Sequence, residues 1–262
     1  YNYPLPIDDP DVTNYRAFLK WQSEQFGLQQ ERFEVGAQNQ IALRKNPENY
    51  NGSFSIRNLA ANGEIYSKQE KKNIRYYDLN PENNTSYQNE NTKSLAIRIA
   101  YGPFRYYTGG DISGCLLNST GNSVNLEEKV AEACGPVDVC KANHHAYKDA
   151  MPESFVKQIH ARNYIISTWD YEHTQPEIIS RMTSKELYAG ERTVFSTYIP
   201  EALRKEYAAE KWMQSVCPEN GHIVVKVYNK GRKYKIYVLS AVKENYSVKA
   251  VYGPYKSGNN TK

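Results

Sequence analysis

Apolar positions come in short runs of two periods, which predicts an α/β protein. Residues 1–13 are rich in Pro and Asp and read as an irregular arm. Thr13 suits an N-cap, and Tyr15, Phe18, Leu19 and Phe26 then recur at helical spacing, predicting a helix over 14–26 that Gly27 stops. Strand-like runs follow at 40–44, 54–61 and 64–66, the last two joined by Asn62-Gly63, a pair suited to a tight hairpin. Polar residues dominate 67–93, which reads as a long loop. Beyond it the pattern predicts strands at 94–101 and 104–108, a helix at 125–134 and a short buried strand at 137–141. A helix at 152–160 with Pro152 at its first position, a strand at 164–168, a helix at 176–182, a strand at 194–197 and a helix at 200–213 come next. The tail changes character. It carries three alternating strands, 223–228, 234–239 and 247–252, with a hairpin turn at 229–232.

Composition adds little to this picture. Hydrophobic residues make up 40% and charged residues 24%, enough for a real core. The mean hydropathy of −0.75 is low, but 23 tyrosines count as polar on that scale while burying their rings readily. A net charge of +4 without a dense basic block argues against a dedicated nucleic-acid binder and permits an anionic substrate. No apolar run spans a membrane and no signal peptide is visible, so a soluble protein is expected, with the compartment open between cytoplasm and export. The chain opens on Tyr-Asn-Tyr-Pro without Met, as if something preceded Tyr1. Its four cysteines lack C-x-x-C spacing, and free buried thiols are expected, with a Cys134–Cys140 bridge as the alternative.

Two clusters at strand ends carry candidate chemistry. Gly109-Gly110-Asp111 follows the strand at 104–108, and Asn143-His144-His145-Ala146 follows the strand at 137–141. Open sheets place their sites at such ends. Glycines let a carboxylate turn crowd close to an ion, and imidazole is a common zinc ligand. Taken singly, a Gly-Gly-Asp is usually only a turn; the pairing with two of five histidines is what suggests a site.

The stretches YGPFRYYTGGDISG, EEKVAEACGPVDVCKANHHAYKDAM and ARNYIISTWDYEHTQPEIISRM resemble the metallo-β-lactamase superfamily. The resembled branch includes the hydrolase-like domain of the bacterial DNA-uptake channel protein and its free-standing relatives. The turn in FSIRNLAANGEIY and the entry ENTKSLAIRI add to the likeness, which covers about 14–200. It implies an αβ/βα sandwich, with a hydrolase-like region over 1–215 and a three-stranded extension over 216–262. It implies two zinc ions, with Asp111 and His145 as metal ligands, and His144 and His173 as catalytic residues near the substrate; His144 and His145 are interchangeable in this reading. Thr174 and Ala146 stand where the family has Pro and Gly. His160 and His222 read as structural.

The family's upstream His-x-His-x-Asp-His is absent. The N-terminal half of the domain is therefore expected to be missing and to act as a partner; a degenerate member that has lost its metal is the alternative. Three functions follow: a hydrolase of a phosphoester or other anionic substrate, small molecule or nucleic acid; a non-catalytic module that binds a polyanion; or an interaction protein that pairs through its tail. A half-sandwich should leave an apolar sheet face bare. The chain is thus expected to form a homodimer, aggregate or require its missing half, and size-exclusion chromatography with light scattering checks this: a monomer that melts cooperatively counts against truncation.

Overall fold

The computed structural model describes residues 10–76, 90–117, 123–170, 172–242 and 245–258. The chain divides into two compact units, residues 1–34 and 35–262. In the first, α1 (Pro10–Phe26) buries no residue; Trp21 instead packs edge-on against Phe26, 5.4 Å between ring centroids. Its C-terminus is where Gly27 predicts it, with φ +68° and the Gly27 amide donating to Ser23 O. Its start is Pro10 rather than Thr13, because proline suits a first turn that needs no amide donor.

The second unit opens its regular structure with the hairpin β1 (Phe54–Ala61) and β2 (Glu64–Ser67), turned through Asn62 and Gly63 at φ +50° and +68°. β3 (Lys72–Arg75) pairs with β2 and lies inside the stretch expected to be loop; residues 77–89 of that stretch lie outside the described ones. The strand expected at 40–44 does not form, and Ile41 is exposed. β4 (Ala96–Tyr101) and β5 (Phe104–Thr108) form the next hairpin, followed by a small ribbon of β6 (Cys115–Leu117) and β7 (Ser123–Asn125). Then come α2 (Leu126–Cys134), β8 (Val139–Lys141), α3 (Glu153–Ile159), β9 (Asn163–Ile166), α4 (Pro176–Thr183), β10 (Thr193–Ser196), α5 (Glu201–Glu206) and β11 (Val216–Asn220). The helix expected over 200–213 thus ends at Glu206, and a 3-10 turn, Lys211–Ser215, follows. β11 was hidden by Pro218, which an edge strand tolerates. β12 (His222–Tyr228), β13 (Lys233–Leu239) and β14 (Val248–Lys256) complete the chain.

Nine strands form one mixed sheet in the order β11-β10-β9-β8-β5-β4-β1-β2-β3. Its first half, β5 and β8 to β11, is parallel, and the remainder is antiparallel. Parallel strands need crossovers and cover on both faces. Side chains alternate accordingly. Cys140, Tyr164, Ile166 and Val194 join one buried cluster with Val130, Phe155 and Ile179 of the helices. Val139, Ile165 and Phe195 join a second cluster with Tyr234, Ile236 and Val238 of β13. The free buried thiols of Cys134 and Cys140 belong to the first cluster, and Cys217 to the second; the side chain of Cys115 lies outside the description.

The sheet face expected to be bare is therefore partly covered by the chain's own three-stranded tail, ordered β12-β13-β14. A cleft of about 400 Å³ remains between the sheets, lined by Ile99, Tyr106 and Lys141 on one side and Ile223, Val225 and Val227 on the other. Val216, the expected start of a separate extension, opens β11 of the large sheet.

Two turns fasten the sheets together backbone to backbone. A Cβ on Gly231, in the β12–β13 turn, would lie 1.8 Å from the Tyr101 carbonyl oxygen, and one on Gly102, in the β4–β5 turn, 2.2 Å from that of Lys230. Gly231 also sits at φ +78°. Gly231→Ala combines a forbidden contact with left-handed backbone and should cost at least about 2 kcal/mol. Urea denaturation measures this; a loss under about 0.5 kcal/mol, the range of an ordinary surface change, would refute the fastening.

Candidate functional site

Parallel pairing of β5, β8 and β9 brings three strand ends to one edge of the sheet. β5 runs into Gly109-Gly110-Asp111, and each glycine has a reason. A Cβ on Gly109 would meet Tyr107 Oη at 2.1 Å and Asn143 Oδ1 at 2.7 Å, while Gly110 has φ +59°. β8 runs into Asn143-His144-His145-Ala146, where His144, His145 and Ala146 have φ +42°, +55° and +62°. Three consecutive left-handed residues other than glycine cost about 1–3 kcal/mol each, so the surroundings must impose this turn. Ala146 bears that strain where the resembled motif has Gly, which would be free of it.

The constraint comes from beneath. Glu127, on the first turn of α2, is completely buried. Its Oε1 accepts from Asn143 Nδ2 at 2.9 Å and from the Met151 amide at 2.8 Å. Asn143 Oδ1 in turn accepts from Tyr107 Oη at 3.1 Å. This chain joins β5, the histidine turn and α2. Burial pushes the Glu127 carboxyl up to about 8, against the opposing pull of its Asn143 and Met151 hydrogen bonds.

Above this support the predicted site residues converge. His145 Nε2 lies 3.5 Å from Asp111 Oδ1, and its Nδ1 donates to the Ser167 carbonyl. That second bond places a proton on Nδ1 and holds the ring with Nε2 near Asp111, the kind of support by which proteins orient metal-binding imidazoles. His144 faces elsewhere: Nδ1 is 2.7 Å from Asp149 Oδ1, and Nε2 is 3.2 Å from Asn91 Nδ2. His173 sits 5.4 Å from His145 and 6.4 Å from His144 between ring centroids, with Nδ1 held 2.8 Å from Asp170 Oδ2. Thr174, in place of the resembled proline, is buried. His160 caps α3 in left-handed conformation and stacks on Tyr188, and His222 lies against Tyr246, both away from this cluster.

Several neighbours were not singled out from the sequence. Lys141, at the end of β8, donates to Gly110 O at 3.0 Å and lies 3.8 Å from Asp111 Oδ1. Burial lowers its pKa, opposed by the Asp111 charge. Asp149 also accepts from Ser113 Oγ at 3.0 Å. Trp169 packs edge-on to His145 at 5.0 Å. The signal for Lys141 and Asp149 was present: each is a charged residue within a few positions of paired histidines, one of them ending a buried strand.

Among the described residues, no group of three or more His, Cys, Asp or Glu side chains could hold a metal ion. Asp111 and His145 face each other but belong to no such group among the described residues. Among the described residues, no helix is long and apolar enough to cross a membrane. No family model and no curated protein matches the chain.

Glu127 gives the site a pH signature. Between the ordinary carboxyl value and about 8, the folded state holds a proton that the unfolded chain has released. Its contribution is thus most favourable at low pH, declines as pH rises through that window, and levels off above about 8. Measured against Glu127→Gln, stability should fall with a slope of up to about 1.4 kcal/mol per pH unit. Denaturation curves of both proteins across this window check it, and a constant difference between them would refute a protonated Glu127.

Proposed function

We propose that this chain carries part of the active site of a metal-dependent hydrolase of metallo-β-lactamase type, acting on a phosphoester or related anionic substrate. In this reading the large sheet with its helices is one layer of an αβ/βα sandwich, and two zinc ions are held partly by Asp111 and His145. The observation that carries it is the facing pair of Asp111 Oδ1 and His145 Nε2 at 3.5 Å, with Nδ1 of the same ring engaged by Ser167 O. The donor set is incomplete among the described residues, so further ligands would come from a segment other than these. Bound divalent ions supply Lewis acidity and a nucleophilic water at neutral pH.

The chain's own residues have separate tasks in this reading. Asp111 and His145 orient the centre. Lys141 presents a cation at its margin, suited to an anionic oxygen of the substrate. His173 is braced by Asp170 through Nδ1, leaving Nε2 as the ring position that exchanges a proton with a leaving group. His144 is tied to Asp149 and Asn91, so its role is to brace the rim rather than to move a proton.

A specific contact favours a second reading. The Lys141 ammonium already answers the Asp111 charge at 3.8 Å, as expected of a degenerate module that binds anions without metal. Cobalt(II) titration followed by visible absorption separates the two. The hydrolase reading expects saturable binding that Asp111→Asn and His145→Ala each weaken at least about tenfold, on the scale of lost ligation and its support. No saturable binding, or binding indifferent to both changes, sinks it. Salt-dependent heparin binding that Lys141→Ala weakens would then support the degenerate module.

A further inference from the structure

Trp169 is the most exposed aromatic ring among the described residues of the second unit, at 67%. Its indole offers a broad apolar face with a polar N–H at one edge. Its backbone is held on both sides. Ahead of it, Thr168 is buried, its amide donates to Thr197 Oγ1 at 2.8 Å, and its carbonyl accepts from the same hydroxyl at 2.6 Å. Behind it, Asp170 Oδ1 accepts from the amides of Glu172 at 3.0 Å and His173 at 2.9 Å. The ring is thus presented from a tied loop.

Its neighbours are the site residues. Trp169 meets His145 edge-on and lies at 31° to His173, 5.4 Å between centroids. His173 continues to Tyr147 at 5.4 Å and 40°. Trp169, His173 and Tyr147 form a succession of ring contacts that reaches His145, whose Nε2 and the Lys141 Nζ both approach Asp111 Oδ1. A row of rings beside a cationic group matches a ligand with a planar π-face and an attached anion.

We propose that Trp169 is a specificity-determining residue that stacks against a planar aromatic ring carried by the substrate next to its phosphoester group. The proposal rests on the hydrolytic reading for the reaction, but not for the binding. The indole supplies one broad face, Tyr147 and His173 hold the adjoining rings in place, and Lys141 draws the anion toward Asp111 and His145. A substrate with the same anion on a sugar or alkyl group would forgo the stacking contact.

Calorimetric titration of the chain with adenosine 5′-monophosphate and ribose 5-phosphate tests this. The two ligands share the anion and differ in the ring. The expected result is tighter binding of the nucleotide, weakened about 5- to 100-fold by Trp169→Ala, in line with the stacking of one base on one side chain. Ribose 5-phosphate should change less than about twofold, and Trp169→Phe, which keeps a π-face, should restore most of the nucleotide affinity. Equal weakening of both ligands, no preference between them in the unaltered chain, or no binding of either overturns the proposal. Ring-dependent binding without cobalt binding at Asp111 would leave the stacking face standing and remove the hydrolytic reading; cobalt binding without ring dependence would do the reverse.

Discussion

A single buried carboxyl holds the chemistry-bearing edge of this protein together. Glu127 accepts hydrogen bonds from Asn143 and from the Met151 amide, and Asn143 passes the link to Tyr107 on the neighbouring strand. Buried polar groups without partners are costly, so these hydrogen bonds favour one arrangement of the three side chains. In it His144, His145 and Ala146 adopt left-handed backbone and Gly109 has no room for a side chain. The strain at the histidine turn is the local cost of holding His145 toward Asp111.

The site also depends on the sheet being covered twice. Parallel strands whose side chains are apolar on both faces need a layer on each side. The helices supply one and the three-stranded tail supplies much of the other. Because residues alternate along β8, Lys141 follows Val139 onto the tail side while Cys140 points to the helices. The same alternation that builds the core thus delivers an ammonium to the mouth of an apolar cleft. There it leans on Gly110 O and Asp111, which offset part of its desolvation.

Asp111 is the meeting point of the site. Its Oδ1 lies 3.8 Å from Lys141 Nζ and 3.5 Å from His145 Nε2, and no group of three or more metal-binding side chains completes a cage among the described residues. The balance between ammonium and metal ion at that carboxylate is what distinguishes the proposed hydrolase from an anion-binding relic of the same architecture. The aromatic row of Trp169, His173 and Tyr147 serves either outcome, since stacking needs no ion.

Much of this was legible from local pattern, and the misses have physical causes. Asn62-Gly63, the 54–61 and 104–108 strands and the helix from Asn125 onward are dictated by turn chemistry, period and capping, which act over a few residues. The clusters at 109–111 and 143–146 announced themselves because glycine, carboxylate and paired imidazoles followed buried strands. At the strand expected over 40–44, the contact with β1 is made instead by Gly36 and Ala37 through the backbone and by the Gln40 side chain. The strand at 216–220 was missed because Pro218 argues against a strand unless that strand lies at an edge. The role of Glu127 was invisible, since a glutamate at a helix start is ordinary, whereas Lys141 left a signal as a charged residue that ends a buried strand just before the paired histidines. The sequence by itself determined which elements form and which residues stand at their ends, through short-range sterics and periodicity. Only the tertiary structure decided that His145 rather than His144 faces Asp111, that Glu127 holds Asn143 and the Met151 amide, and that the tail closes over the sheet. Those choices depend on partners from 16 to 120 positions apart along the chain, which local pattern does not encode.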